Sequence, residues 1–404
     1  MITEKLKVRL RNDSRFRYWL IRPSRIRFIT NYIHHIKQRI KLWLRESQTA
    51  DWRSFEEDWQ VSQGDYNVDF KALLGDHSGL RVCYISSMHH SDTQAFIDSA
   101  QLLKIDYEII DPQSHDFFNL LKIGRYDFVL ARPIHELSLI RRMYSEKVAV
   151  LHRDGNSRVF PSEQELAFYE SKRQLIYFLQ YHDIPHPRSV VIYNKQSALD
   201  YIETRDCALV FKTDCGAAAV GVEYAMHKAE AHALIRTFFD DFYINKDPFD
   251  YRDIDWGYVI IQDYIERARE FRIIKIGDSW FGHEKAKRSD QSFMSGSGLN
   301  KWTTPTLELL DFCHDIAHRF GFLTMCFDIF LDEFSCLYVN ELQCWFGSYN
   351  PSQMYVDGTP GRYIKKSSKW EFEAGYFNIN ASMTLRLISC IENAYPLNRS
   401  AELR

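Results

Sequence analysis

The 404-residue chain is short of several signals, and each absence narrows its function. Its eight cysteines, at 83, 207, 215, 313, 326, 336, 344 and 390, include no CxxC pair, which leaves zinc and dithiol chemistry without support. Most of them lie inside apolar runs, where cysteine acts as a small hydrophobe, a pattern that suits a reducing compartment. Glycine (17) and proline (11) are scarce, which argues against long disordered or collagen-like segments. No run of about 18 apolar residues is present, so no membrane-spanning helix is expected. The basic N-terminus is not followed by an apolar core segment, so it does not read as a signal peptide. The GxGxxG fingerprint is missing, and with it the support for a dinucleotide site.

What remains is ordinary globular material, 45% hydrophobic and 26% charged, and long enough for two or three domains. Aromatics reach 15%, which suits a filled core and stacking surfaces for a ring or a sugar. The net charge of −3 is unevenly spread. Residues 1–45 carry thirteen Lys/Arg against Glu4 and Asp13, a net of +11, leaving −14 for the remainder. Ile26, Ile29, Ile33, Ile36, Ile40 and Trp43 stripe one face of a helix in this arm, with Lys37, Arg39, Lys41 and Arg45 largely elsewhere. Such a basic amphipathic helix suits an anionic membrane surface, and equally suits packing against protein. No nucleic-acid reading motif is present. The expected location is cytoplasmic, with the arm as the candidate contact to the inner membrane face.

Residues 46–78 are polar and read as a connector. From residue 79 to 155, strands ("LRVCYIS", "DYEII", "YDFVLAR", "KVAVLH") alternate with helices, predicting a small doubly wound α/β domain. Two α+β regions follow, 156–256 and 257–404. The first has a helix over about 163–182, then "HDIPHP", "RSVVIY" and "CALVFK". The second opens on three strands, "YVIIQDYI", "EFRIIKIG" and "SWFGHEKAK", expected to pair antiparallel. A buried hairpin, "FLTMCFDIFLD" and "CLYVNELQC", comes later.

Several stretches carry chemistry. In "VFKTDCGAAAVGVEYA", Lys212 ends an apolar run and a Gly/Ala loop lies between Gly216 and Gly221. That loop reads either as an ordinary turn or as a phosphate cradle with exposed backbone N–H groups. Asp328 and Glu341 are carboxylates inside apolar strands, an expensive placement unless each is paired or bound to a cation. Mg²⁺ takes such oxygen ligands and shares its shell with phosphates, while ion pairs with Arg272 or Lys285 satisfy the same residues. Strand parity turns Asn340 away from the face of Glu341 and sets Lys285 and Arg288 on opposite faces.

In order and spacing these motifs resemble the ATP-grasp ligases, over about residues 80–345. The resemblance implies an α/β pre-domain followed by two α+β lobes clasping ATP. Lys172, ahead of "HDIPHPRSVV", is similar to the family's early ATP-contacting lysine, and Lys212 to its second. Thr213 stands where the family often has proline, and alanines replace some loop glycines. "YVIIQDYI" resembles the linker strand that meets adenine and ribose, which assigns Gln262, Asp263, Tyr264 and Ile265 to the nucleotide. Arg272, Lys285 and Arg288 are implied to steady the phosphate and acyl phosphate, and Asp328, Glu341 and Gln343 to hold one or two Mg²⁺ ions. The family usually has asparagine where Gln343 stands. The implied activity is amide formation between a carboxylate and an amine, such as a glycan uronic acid and an amino acid. A kinase on the same fold and a non-catalytic nucleotide-binding module are the rival readings.

Overall fold

The structure is a computed structural model that describes residues 67–74, 79–86, 91–134, 138–155, 158–169, 171–214, 221–241, 243–244, 254–286, 300–346, 350 and 352–396. The basic arm, the connector up to residue 66, Gly216 and Arg288 lie outside the described residues. After a short helix α1 (Phe70–Leu74), the first unit alternates β1 (Arg81–Ile85), α2 (Ser91–Leu103), β2 (Asp106–Ile110), α3 (Phe117–Gly124), β3 (Phe128–Ala131), α4 (Ser138–Asp154) and β4 (Val159–Phe160). Its sheet is parallel, in the order β2-β1-β3-β4. The runs VCYI and FVLA are buried throughout, as strands covered on both faces require.

One expectation is corrected in this unit. "KVAVLH" is not a strand but the second half of α4. Tyr144, Val148 and Leu151 within α4 are all buried, at a four-then-three spacing that lines one helical face. The apolar run is the core face of a helix, and the fourth strand comes later, at residue 159.

The second unit holds α5 (Glu163–Phe168), α6 (Lys172–Tyr181), β5 (Ser189–Ile192), α7 (Lys195–Glu203), β6 (Leu209–Lys212), β7 (Val222–Ala225) and α8 (Lys228–Arg236). The single helix expected over about 163–182 is two, separated at residues 169–171. A two-stranded ribbon, β8 (Tyr243–Ile244) and β9 (Ile254–Asp255), leads to β10 (Val259–Asp263). β10 returns to this unit's antiparallel sheet, in the order β5-β10-β6-β7. It therefore does not pair with the next two strands, as their close succession had suggested.

The third unit is an eight-stranded sheet. Its members are β11 (Arg269–Ile276), β12 (Ser279–Lys285), β13 (Asn300–Lys301), β14 (Thr324–Leu331), β15 (Leu337–Gln343), β16 (Tyr355–Val356), β17 (Thr359–Lys366) and β18 (Lys369–Ala374). The main path runs β15-β14-β11-β12-β17-β16. Helix α9 (Leu307–Phe320) covers one face, where Trp280 meets His314 and Phe327. Helix α10 (Met383–Ala394) packs against β11 and joins the first unit to the third, with Ser99 and Thr384 sharing a 2.9 Å hydrogen bond. The β11–β12 turn needs glycine there: Gly277 has φ of 56°, and a Cβ would lie 2.4 Å from Ser389 Oγ. Among the described residues no helix is long and apolar enough to cross a membrane.

Candidate active site

Strand register assembles the charged residues into rows on one face of the large sheet. Glu341 lies opposite Asp328, Asp328 opposite Arg272, and Arg272 opposite His283. Directly paired residues share a face, so four strands present one polar row. Asp328 is 1% exposed and fully engaged. Arg272 donates from Nε to Oδ1 and from Nη2 to Oδ2, both at 2.9 Å. Lys285 Nζ donates to the same Oδ2 at 2.6 Å and to Glu270 Oε1, also at 2.6 Å. Burial alone would push the Asp328 carboxyl up, but Arg272 and Lys285 outweigh it and hold it well below the usual range. Burial works against the Lys285 charge, and Asp328 and Glu270 restore it, leaving its ammonium above its ordinary value.

Gln343 lies opposite Cys326, one row along from Glu341, and its Nε2 donates to Glu341 Oε1 at 2.8 Å. The register slips between Asp328 and Ile329, so that Asn340 is the extra residue of a bulge. This corrects the parity argument for Asn340. Instead of turning away, it accepts a hydrogen bond from Lys212 Nζ at 3.1 Å, linking the small sheet to the large one. The bulge also releases the Val339 N–H, which donates to Pro185 O at 2.8 Å.

Lys212 ends β6, and its ammonium is brought down to about 8. Burial is the main cause and Lys172 the second, with Glu341 and Glu270 acting in opposition. Lys212 is thus within electrostatic reach of Lys172, Glu341 and Glu270. Asp214 fixes Lys172 relative to Lys212. Its backbone carbonyl accepts from the Lys172 N–H at 3.1 Å, its Oδ1 accepts from the Arg173 N–H at 2.9 Å, and its Oδ2 accepts from Arg173 Nη2 at 3.0 Å. Thr213 has a use that proline could not serve, because its N–H donates to Gly221 O at 2.9 Å and closes the neck of the loop. Gly221 takes φ of 73° there.

The linker residues have partners within the protein. Gln262 is buried in β10, paired with Ser189 and Val210 on either side, so β10 is an interior strand. Asp263 is ion-paired with Arg205 through both carboxylate oxygens. The Tyr264 N–H donates to Ala208 O at 2.9 Å, and Ile265 follows the strand. Among the C-terminal aromatics, Tyr363 packs against Phe372 and Trp370, and Trp370 against Trp280.

Glu270, His283 and Asp214 were not singled out from sequence, and Asn340 was expected to face away. Glu270 and His283 were reachable by counting two residues along their strands from Arg272 and Lys285. Asn340 was not, since nothing local announces the bulge. His283 is 4% exposed; burial and the nearby Arg272 bring it down to about 4, so it stays neutral.

The donor set bears on Mg²⁺. Among the described residues no cluster of three or more His, Cys, Asp or Glu forms a protein-only cage. Asp328 has both oxygens taken by Arg272 and Lys285, so Glu341 and Gln343 are the oxygen-bearing side chains left for an ion that shares its shell with phosphates. A cavity of about 900 Å³ between α4, α5 and α6 borders Asp214 and Arg173 but is not lined by the polar row.

No protein-family model matches the chain, and no curated protein matches it. Solved structures do. A RimK domain ATP-grasp protein from Sphaerobacter thermophilus is 14% identical over 65% of this chain and 90% of that one, with a TM-score of 0.47. N5-carboxyaminoimidazole synthetase from Staphylococcus aureus is 14% identical over 78% of each chain, with a TM-score of 0.48. D-alanine–D-alanine ligase from Bacillus anthracis is 15% identical over 80% of this chain and 99% of that one, with a TM-score of 0.49. This chain is thus similar to an ATP-grasp protein, a synthetase and a ligase.

Proposed function

We propose that this chain is an ATP-dependent carboxylate–amine ligase of the ATP-grasp kind. The observation that carries the reading is the reach of Lys212, with Lys172 near it, from one unit to Asn340 and Glu341 of another, where Glu341 begins the row Glu341–Asp328–Arg272 with Lys285. Lysines suit phosphate oxygens as compact charges, and a guanidinium fork suits a transferring phosphoryl group or an acyl phosphate. Glu341 and Gln343 would hold Mg²⁺, which neutralises phosphate charge when bound, and Asp328 would join them once Arg272 and Lys285 turn from it to the phosphates.

In this reading Lys172 and Lys212 hold the nucleotide phosphates. Gly221 and Gly216 are assigned to the same phosphates, while Gln262, Asp263, Tyr264 and Ile265 border the base and ribose. A substrate carboxylate oxygen attacks the γ-phosphorus, the bond to the β-phosphate oxygen breaks, and ADP leaves. Arg272, Lys285 and Arg288 steady the acyl phosphate. The amine then attacks the acyl carbon, phosphate departs with the bonding pair, and the amine loses a proton to solvent. Positioning and electrostatics suffice, with no protein nucleophile. The acid is a small-molecule or glycan carboxylate, and the amine is of the amino-acid type. The basic arm favours an acid assembled at an anionic membrane surface, such as a uronic acid of a surface-glycan precursor.

The test is ATP-dependent phosphate release from the full chain against a panel of uronic acids and amino acids. The expected outcome is ADP and phosphate only when acid and amine are both present. Phosphoryl transfer to a hydroxyl with no amine present makes the protein a kinase. Absence of metal-dependent ATP binding removes both readings and leaves a non-catalytic module.

A further inference from the structure

The bulge in β15 meets the second unit twice, through the Val339 N–H to Pro185 O and through the Asn340 side chain to Lys212 Nζ. The first contact joins backbone to backbone ahead of β5. The second ends on a side chain that the strand pairing leaves unheld. Lys212 closes an interior strand, paired with Ile260 on one side and Val222 on the other. Its backbone is therefore fixed, and the bond from the Thr213 N–H to Gly221 O fixes the next residue. Its stem is long and flexible, and an ammonium on such a stem tends to swing out to water.

Asn340 supplies what the strand cannot. An ammonium only donates, so the amide atom that meets it is the oxygen, Oδ1 at 3.1 Å. The bulge makes this contact possible. In regular pairing Asn340 would point to the sheet face opposite Glu341. The extra residue between the Asp328–Glu341 and Ile329–Val339 pairs brings it to Lys212 instead. The residue type matters as well. Arg272 and Lys285 are held by the carboxylate of Asp328, which offsets their charge. A neutral amide holds an ammonium without offsetting it, so the charge of Lys212 stays available to an anion. The charged groups acting on that ammonium are Lys172, which disfavours it, and Glu341 and Glu270, which favour it.

We infer that Asn340 is a positioning residue: from the bulge of β15 it pins the Lys212 ammonium between the two sheets, where the nucleotide phosphates meet it. That the anion is a nucleotide rests on the ligase reading; the pin itself does not.

The experiment is calorimetric titration of the full chain with ATP at saturating Mg²⁺, over about pH 6.5–9.5, for wild type, Asn340→Leu and Asn340→Asp. Wild-type affinity should fall as pH rises through about 8, where Lys212 gives up its proton. Asn340→Leu should bind ATP about tenfold more weakly at neutral pH, through loss of one hydrogen bond to a charged group and of the preorganisation it gives. Its limb should move to lower pH, because an acceptor that favours the ammonium is gone. Asn340→Asp keeps an oxygen in place and adds a charge, so its limb should move to higher pH. A change in packing alone would not move the limb in opposite directions. Combined with Lys212→Met, Asn340→Leu should cost no further affinity. A limb that stays put in both variants, or an additive loss in the double variant, overturns the role while ATP binding and the ligase reading stand. If Asn340→Leu does not fold, the near-isosteric Asn340→Asp decides by the direction of its limb. Wild type that binds no ATP overturns the ligase reading. Urea stability of wild type, Asn340→Leu, Lys212→Met and the double variant then decides the pin, non-additive losses upholding it and additive ones overturning it.

Discussion

Asp328 is held by two cations from two neighbouring strands, so removing its charge leaves Arg272 without its carboxylate and Lys285 with Glu270 alone. Breaking such a cluster from one side costs about 3–5 kcal/mol, although the intact cluster is itself close to neutral against apolar packing. Asp328→Asn is therefore expected to lower unfolding stability by about that amount in urea titration, with ATP turnover lost as well; a change under about 1 kcal/mol would show that the cluster bears little on the fold. Lys212 makes a different prediction. Only its protonated form attracts phosphate, and burial places its ammonium at about 8. Accordingly kcat/KM for ATP should fall as pH rises through about 8, and Lys212→Arg should move that limb to higher pH. A limb at the same pH in the arginine variant would assign it to another group. His283, brought down to about 4, acts on stability with a definite sign. Between pH 4 and 6.5 the unfolded chain binds the proton and the folded one does not, so stability is present above 6.5 and is lost as pH falls through that window. The loss should be about 3 kcal/mol by denaturant midpoint, and His283→Gln should show a smaller one.

Elements decide what those residues can reach. The neck of the loop after β6 depends on the Thr213 N–H, so Thr213→Pro should cost about 1–3 kcal/mol and raise KM for ATP. Thr213→Val keeps the N–H and should do neither; equal effects of the two would place the role in the hydroxyl. At this scale the sequence was legible where pattern and pairing coincide. The β14–β15 hairpin, with one carboxylate per strand, could be read because an ionised group within an apolar run demands a partner. The alternation of the first unit was likewise plain. Three features were hidden for physical reasons. "KVAVLH" has strand-like composition, and only Tyr144, four residues before Val148, shows that its buried face is helical. β10 crosses to another sheet, and no local property of a strand names its neighbours. The bulge at Asn340 is set by the pairing of two strands, so it cannot be seen in either one alone. Of the candidate site, the residue types were readable. That Asp328 would be saturated by Arg272 and Lys285, and Asp263 by Arg205, became visible only in the folded arrangement.

Across the whole molecule the charge is polarised, +11 in residues 1–45 and −14 in the rest. The two parts should answer an anionic surface in opposite ways. Each basic residue near such a surface contributes about 1 kcal/mol, an attraction that fades beyond a Debye length of about 8 Å at physiological salt. The acidic remainder is repelled, so any attachment to an anionic bilayer has to run through the arm. Full-length protein is expected to sediment with vesicles containing phosphatidylserine and to leave them at about 0.5 M salt, where screening shortens the interaction. Protein lacking residues 1–45 should stay in the supernatant at every salt concentration, while its ATP binding is unchanged because Lys172, Lys212 and the polar row lie elsewhere in the chain. Equal sedimentation of the two proteins would transfer the arm's apolar stripe to a protein partner, and would remove the membrane argument for a surface-glycan acid while leaving the ligase chemistry where it stands.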